Sequence, residues 1–140
     1  MPAITCIEDL RHLAQKRTPR MFFDYCESGS WSESTLHANE ADLQAIKFRQ
    51  RVAVDVDKRT TATKMLGEDV AMPVALAPTG LTGMQHADGE ILAAQAAEAF
   101  GVPFTLSTMS ICSIEDVAAH TTSPSGSSSM SCATGNSCIG

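Results

Sequence analysis

Residues 72–110 read MPVALAPTGLTGMQHADGEILAAQAAEAFGVPFTLSTMS, and no other stretch constrains the fold so tightly. Val74 to Ala77 is a short apolar run halted by Pro78 and Gly80. A Gly-rich loop follows, then an Ala-rich segment from Asp88 to Phe100 closed by Gly101, then the β-like residues Phe104 to Ser107. A strand, a loop, a helix and a second strand within roughly thirty residues form the pattern of a parallel βαβ unit. Ligands of such folds bind at the carboxyl ends of the strands. The expectation is therefore an α/β chain with its site around Thr79, Gly80 and Ser107.

The residues before this unit predict helices and a small hairpin. Thr5-Cys6-Ile7-Glu8 has the form of a capping box, with Leu10, Leu13 and Ala14 behind it at helical spacing. Thr18 with Pro19 opens a second helix carrying Met21, Phe22, Phe23 and Tyr25 as far as Gly29. Ser34 or Thr35 opens a third, striped by Leu36, Leu43 and Ile46. From Phe48 to Val56 the pattern alternates and predicts a half-buried strand; Thr61 to Leu66 predicts another, ending at Gly67. After the βαβ unit, Ser113-Ile114-Glu115-Asp116 has the form [ST]-x-x-[DE] and starts a helix with Val117 and Ala118.

Charge and cysteine content remove several function classes. All ten Lys and Arg residues lie between Arg11 and Lys64, against nine acids, so residues 1–64 carry +1 and the remainder is purely acidic. With no basic stripe to track phosphates, nucleic-acid binding is not expected. The five cysteines are odd in number and without a CxxC pair, which favours free thiols over a disulfide frame or a zinc site. No apolar run approaches the ~18 residues of a membrane span and no signal-peptide pattern is visible, so the expected location is cytoplasmic. A complete (β/α)8 barrel needs about 250 residues, and the chain has 140.

On residue types alone the chemistry stays open. The loop Ala77 to Gly83 lacks the Lys-Ser/Thr of a P-loop and the GxGxxG of a dinucleotide fold. Gly80 allows close approach of backbone to a flat ligand, and a tight βα turn with no ligand explains the same residues. Tyr25, a lone tyrosine on a helix, reads first as a packing side chain.

Taken in order, these motifs carry more. Phe23-Asp24-Tyr25, Gly29, Thr35, Asn39, Arg51-Val52, Val54-Asp55-Val56, Thr61, Gly67, Met72-Pro73, Ala77-Pro78-Thr79-Gly80, Asp88-Gly89-Glu90, Gly101, Leu106-Ser107-Thr108 and Ser113-Ile114-Glu115 resemble the amino-terminal third of the FMN-dependent 2-hydroxy-acid dehydrogenases and oxidases. That group includes glycolate oxidase, flavocytochrome b2 and the mandelate and bacterial L-lactate dehydrogenases, and the wording from Pro78 to Asp116 leans to the last of these. The resemblance implies the amino-terminal portion of a TIM (β/α)8 barrel with preceding helices and a bottom hairpin, an incomplete barrel here. It implies FMN as cofactor, with backbone groups of Pro78, Thr79 and Gly80 and the Ser107 hydroxyl against the flavin. It gives the Tyr25 hydroxyl a part in holding the carboxylate of a small 2-hydroxy acid such as L-lactate, with the hydride equivalent passing to flavin N5. The family's histidine base, arginine clamps and flavin lysine belong to later barrel strands, so no catalytic residue and no metal ligand is assigned. The intact enzymes are often homo-oligomers, some of them peripheral on the inner face of the cell membrane; the electron acceptor is unassigned.

Beyond Thr121 the composition changes. Residues 121–140 hold ten Ser or Thr and no charge, which predicts a disordered segment. At Pro124 the family continues with a strand of the type FWFQLYV. Ser125 to Cys138, back-translated with permitted codons and read with one added base in front, gives FWFQLYVMRDREFM. Residues 1–123 are accordingly expected to form the helices and first two βα units, and 124–140 a non-family tail produced by a one-base deletion, with a stop codon after Gly140. Such a chain is expected to be an inactive fragment. The competing reading is a non-catalytic flavin- or phosphate-binding module, or a piece that complements the rest of a barrel in trans.

Overall fold

The computed structural model describes residues 3–121 and the backbone of residues 131–133. The chain divides into two units, Met1–Lys58 and Arg59–Gly140.

The first unit is helical. Helix α1 (Ile7–Arg17) starts from Cys6. Its cap lies one residue beyond the expected Thr5–Glu8 box: the Asp9 carboxylate accepts from the Thr5 amide (2.8 Å), the Thr5 hydroxyl (2.8 Å) and the Cys6 amide (3.2 Å). These donors, the Thr5 amide foremost, hold the Asp9 carboxyl below its ordinary range. Helix α2 (Arg20–Glu27) follows Pro19, and α3 (Ser34–Ala45) follows Glu33. The Arg11 guanidinium joins α1 to α2 through Glu27 and also reaches Glu8 within its own helix. None of the three helices contains a buried residue.

The strand expected from Phe48 to Val56 does not form, although its alternation of Val52, Val54 and Val56 is regular. Ala53 adopts a left-handed conformation at φ 57° and interrupts the extended run. No partner strand offers a ladder to it among the described residues, and Phe48 and Val52 stand almost fully exposed. Alternation is a pattern for half burial; it cannot create the neighbour that burial needs.

The second unit opens with the small hairpin, built from β1 (Thr63–Met65) and β2 (Glu68–Val70), paired antiparallel with Lys64 opposite Asp69. Leu66 and Gly67 turn it, at φ 52° and 90°. Two consecutive positive φ values are what a two-residue type I′ turn requires, and they match the right-handed twist of the strands. Glycine meets that demand without strain; Leu66 does not.

Next comes the parallel layer. The run Val74 to Ala77 contributes a single bridge in place of the expected strand: Leu76 N–H donates to Pro103 O (2.9 Å) and Thr105 N–H donates to Leu76 O (3.1 Å). Pro73 and Pro78 bracket the run and have no N–H to extend the ladder. Strand β3 (Thr105–Ser107) pairs in parallel with β4 (Ser131–Ala133), Thr105 opposite Ser131 and Ser107 opposite Ala133. Within the segment expected to be disordered, Ser131–Ala133 thus forms a strand beside β3; the rest of 122–140 lies outside the described residues.

Helices complete the layer. A one-turn α4 (Thr82–Gln85), not foreseen from the sequence, precedes α5 (Gly89–Phe100). The expected Gly101 closure is present: at φ 78° its amide reaches Ala97 O and Glu98 O, and Val102 N–H reaches Ala97 O, the Schellman pattern. Ser113 caps α6 (Ile114–His120) as its motif predicts, its hydroxyl oxygen accepting from Asp116 N–H at 3.0 Å. Between α5, α6 and β3 lies the core of Ile91, Ala94, Ala97, Val102, Phe104, Leu106 and Val117. Leu106 and Val117 are 1% and 0% exposed, and burying each contributes about 1.5–3 kcal/mol. Alanines at 94 and 97 let the helix come close to the strands.

Candidate functional site

Four of the five expected site residues converge at one end of the parallel layer. Pro78, Thr79 and Gly80 leave the Leu76 bridge, and Ser107 ends β3. The two loops that follow touch each other. Leu81 N–H donates to Met109 O at 2.9 Å. A Cβ placed on Gly80 would lie 3.1 Å from Met109 Cβ and 3.7 Å from Ser107 Oγ. Gly80 therefore allows the loops to approach one another here. The Ser107 oxygen accepts from Met109 N–H (3.1 Å), which leaves its own hydrogen to donate outward.

Beneath this rim is a cavity of about 230 Å³ lined by Leu76, Thr79, Thr82, Glu90, Phe104 and Ser107 among others. Its volume is below the roughly 300–1,000 Å³ of sites that enclose a small molecule, so it does not enclose one by itself. The Thr79 and Gly80 amides have no acceptor among the described residues. Pro78 has no N–H and offers only its carbonyl. Thr79 and Ser107 line the apolar hollow and Pro78 and Gly80 adjoin Thr79 in the chain, so two amides, one carbonyl and one hydroxyl at this end suit the polar edge of a flat heteroaromatic ring. They do not suit a phosphate: no Lys or Arg occurs after Lys64, and the one ionisable lining residue, Glu90, is acidic.

Tyr25 belongs to the other unit. It lies on α2, 66% exposed, and its hydroxyl has no hydrogen-bond partner among the described residues. His12, His37, His86 and His120 are exposed. No cluster of three or more His, Cys, Asp or Glu residues able to hold a metal ion occurs among the described residues, and no described helix is long and apolar enough to cross a membrane.

Reading by residue type gave Glu90 no role, and the structure gives it one. The side chain is 2% exposed. Its Oε1 accepts from Gly83 N–H (3.1 Å) and Ile111 N–H (3.0 Å), whereas Oε2 is buried with no partner. Burial pushes the Glu90 carboxyl up, but the amides of Ile111, Glu90 itself and Gly83 and the neighbouring Cys112 thiol outweigh it, holding the group below its ordinary value. Burial, and then the Glu90 carboxylate, push the Cys112 thiol up, away from the reactive thiolate. The available signal was a carboxylate in the first turn of an Ala-rich helix between Gly89 and Ile91, both buried.

The profile of the FMN-dependent dehydrogenases matches residues 14–132. The chain belongs to that family. Its FMN dependence fits the free amides and the Ser107 hydroxyl described above. The L-lactate dehydrogenase of Vibrio cholerae serotype O1 is 49% identical over 115 residues, covering 82% of this chain and 30% of that protein. The L-lactate dehydrogenase of Alcaligenes faecalis is 46% identical over 121 residues, covering 86% and 32%. Among solved structures, an oxidised active mutant of (S)-mandelate dehydrogenase superimposes with a TM-score of 0.80 at 36% identity, covering 93% of this chain and 35% of the other. A soluble mutant of the membrane-associated (S)-mandelate dehydrogenase from Pseudomonas putida gives 0.79 at 36% identity, with the same coverage. The chain spans about a third of the length of these relatives.

Proposed function

We propose that the chain is the amino-terminal part of a TIM-barrel enzyme that oxidises an L-2-hydroxy acid, with L-lactate favoured by the likeness to L-lactate dehydrogenases. The observation that carries the reading is the meeting of Thr79, Gly80 and Ser107 at the carboxyl end of a parallel layer, their donors turned to no protein acceptor among the described residues. When bound, FMN supplies a two-electron acceptor for the hydride equivalent leaving the substrate carbon.

The residues of this chain have limited parts in that reaction. The Thr79 and Gly80 amides and the Ser107 hydroxyl would hold and orient the ring by donating hydrogen bonds to it. Pro78 contributes its carbonyl and a rigid turn. Tyr25 donates its hydroxyl to the substrate carboxylate. No histidine of the four is assigned the base that takes the hydroxyl proton, and no arginine the carboxylate clamp. The 140 residues thus bind and orient but do not complete the reaction, and the tail after Pro124 is the one-base-shifted remnant of the next family strand.

Titration of the full chain with FMN tests the reading. Flavin fluorescence quenching that saturates, is weakened by Gly80→Val and is unaffected by inorganic phosphate is expected. Quenching that phosphate abolishes, or that Gly80→Val leaves unchanged, counts against a ring-binding wall. Lactate-dependent dye reduction by the 140-residue chain is expected to be absent; its presence would overturn the assignment of the base elsewhere. Sequencing the gene tests the shifted tail: a next reading frame without a FWFQLYV-like strand removes that part.

A further inference from the structure

The Asp88-Gly89-Glu90 motif has no part in the function proposed above, yet Glu90 is the only buried charged residue among the described residues. Its position explains why. Two loops must lie at a fixed spacing for Thr79 and Gly80 to face the same ligand as Ser107. The upper rung between them is Leu81 N–H to Met109 O. One turn deeper the backbones come close again, since a Cβ on Gly83 would lie 2.7 Å from Ile111 Cβ. Here two N–H groups, from Gly83 and Ile111, need an acceptor. A single oxygen that takes both fixes the distance between them, and Glu90 Oε1 does this from the first turn of α5. The helix amino terminus favours the negative charge there, and a carboxylate acceptor binds amides more strongly than a neutral one. Gly89, whose Cβ would lie 2.8 Å from Thr82 Cγ2, brings the helix end against the first loop.

We propose that Glu90 is a positioning residue of the flavin wall: acting through the backbone amides of Gly83 and Ile111, its carboxylate sets the spacing between the loop bearing Thr79 and Gly80 and the loop that follows Ser107. The proposal rests on the FMN reading above for the ligand, but the clasp itself is a property of the backbone.

The full chain and its Glu90→Ala, Glu90→Gln and Glu90→Asp variants test it by amide hydrogen exchange and FMN titration. In E90A both amides lose their acceptor, and protection at Gly83 and Ile111 falls about tenfold, as does FMN affinity. Ala94 and Ala97, further along α5, keep their protection. In E90Q the side-chain oxygen still accepts both amides, and protection and affinity stay within about threefold of wild type. Unchanged exchange at Gly83 and Ile111 in E90A overturns the clasp. Normal FMN affinity in E90A despite lost protection overturns the positioning role alone. A wild-type chain that never quenches FMN overturns the flavin reading and with it the role, while lost protection in E90A would still establish the clasp. If E90A loses protection at Ala94 and Ala97 as well, the other two variants decide. Glutamine at wild-type levels with aspartate, one methylene too short, lowered in both measurements supports the role; equal behaviour of the two overturns it.

Discussion

Unit Arg59–Gly140 has a buried apolar core, whereas no described residue of unit Met1–Lys58 is buried. In the former, Ile91, Ala94, Ala97, Leu106 and Val117 share one buried cluster. In the latter, Leu43, Ile46, Phe48 and Val52 are exposed and the helices are joined by polar contacts such as Arg11 to Glu27. Both have well-marked helices, so the difference is not one of local propensity. A parallel layer gives a helix an apolar face to cover, whereas a helix alone has nothing to bury its stripe against.

The largest test of that contrast is a pair of equal substitutions. Leu106→Ala should destabilise its unit by about 2–5 kcal/mol, and Leu43→Ala in α3 should stay within about 0.5 kcal/mol, both read from denaturant unfolding. Equal losses would break the comparison. Next, Gly83→Ala forces a methyl against Ile111 and should cost about 1–3 kcal/mol, with part of the loss recovered in the Gly83→Ala, Ile111→Ala double variant. Ser113→Ala removes the α6 cap and should lower stability by about 1 kcal/mol, visible as faster exchange at Asp116. Smallest, Arg11→Ala in the exposed unit should leave the unfolding midpoint almost unchanged, since solvent screens its pairs with Glu8 and Glu27, and the residual effect should vanish at high salt. A larger effect would mean that polar contacts hold that unit as firmly as a core holds its partner.

The sequence was most readable where a local rule and the long-range setting agree. Gly101 at the end of α5, Ser113 at the start of α6 and the apolar strand Phe104 to Ser107 all need no more than their own neighbours to be recognised, and all are found. Phe48 to Val56 obeyed the local rule and failed, because a strand is defined by a partner that the alternation does not name. Val74 to Ala77 shrank to one bridge for a reason already written in it, the two flanking prolines. The meeting of Thr79, Gly80 and Ser107 was legible because they follow or end neighbouring parallel runs, the place where such layers offer a ligand site. Glu90 was not, since a glutamate in the first turn of a helix is ordinarily a solvated charge favoured by the helix dipole. Only the convergence of Gly83 and Ile111 upon it, 7 and 21 residues away, makes it an interior group.

The bridge between Leu76 and Phe104 also has a meaning in time. Parallel neighbours cannot be joined by a tight turn, and the whole of α4 and α5 lies between these two residues. Helices α1 to α3 need only hydrogen bonds four residues apart and can form within microseconds. The parallel layer must first close a loop of nearly thirty residues, a step whose entropy is lost before any contact repays it. On a growing chain the layer end that carries Thr79, Gly80 and Ser107 is thus assembled late, after Phe104 has been made, while Val74 to Ala77 waits with its backbone groups open to water.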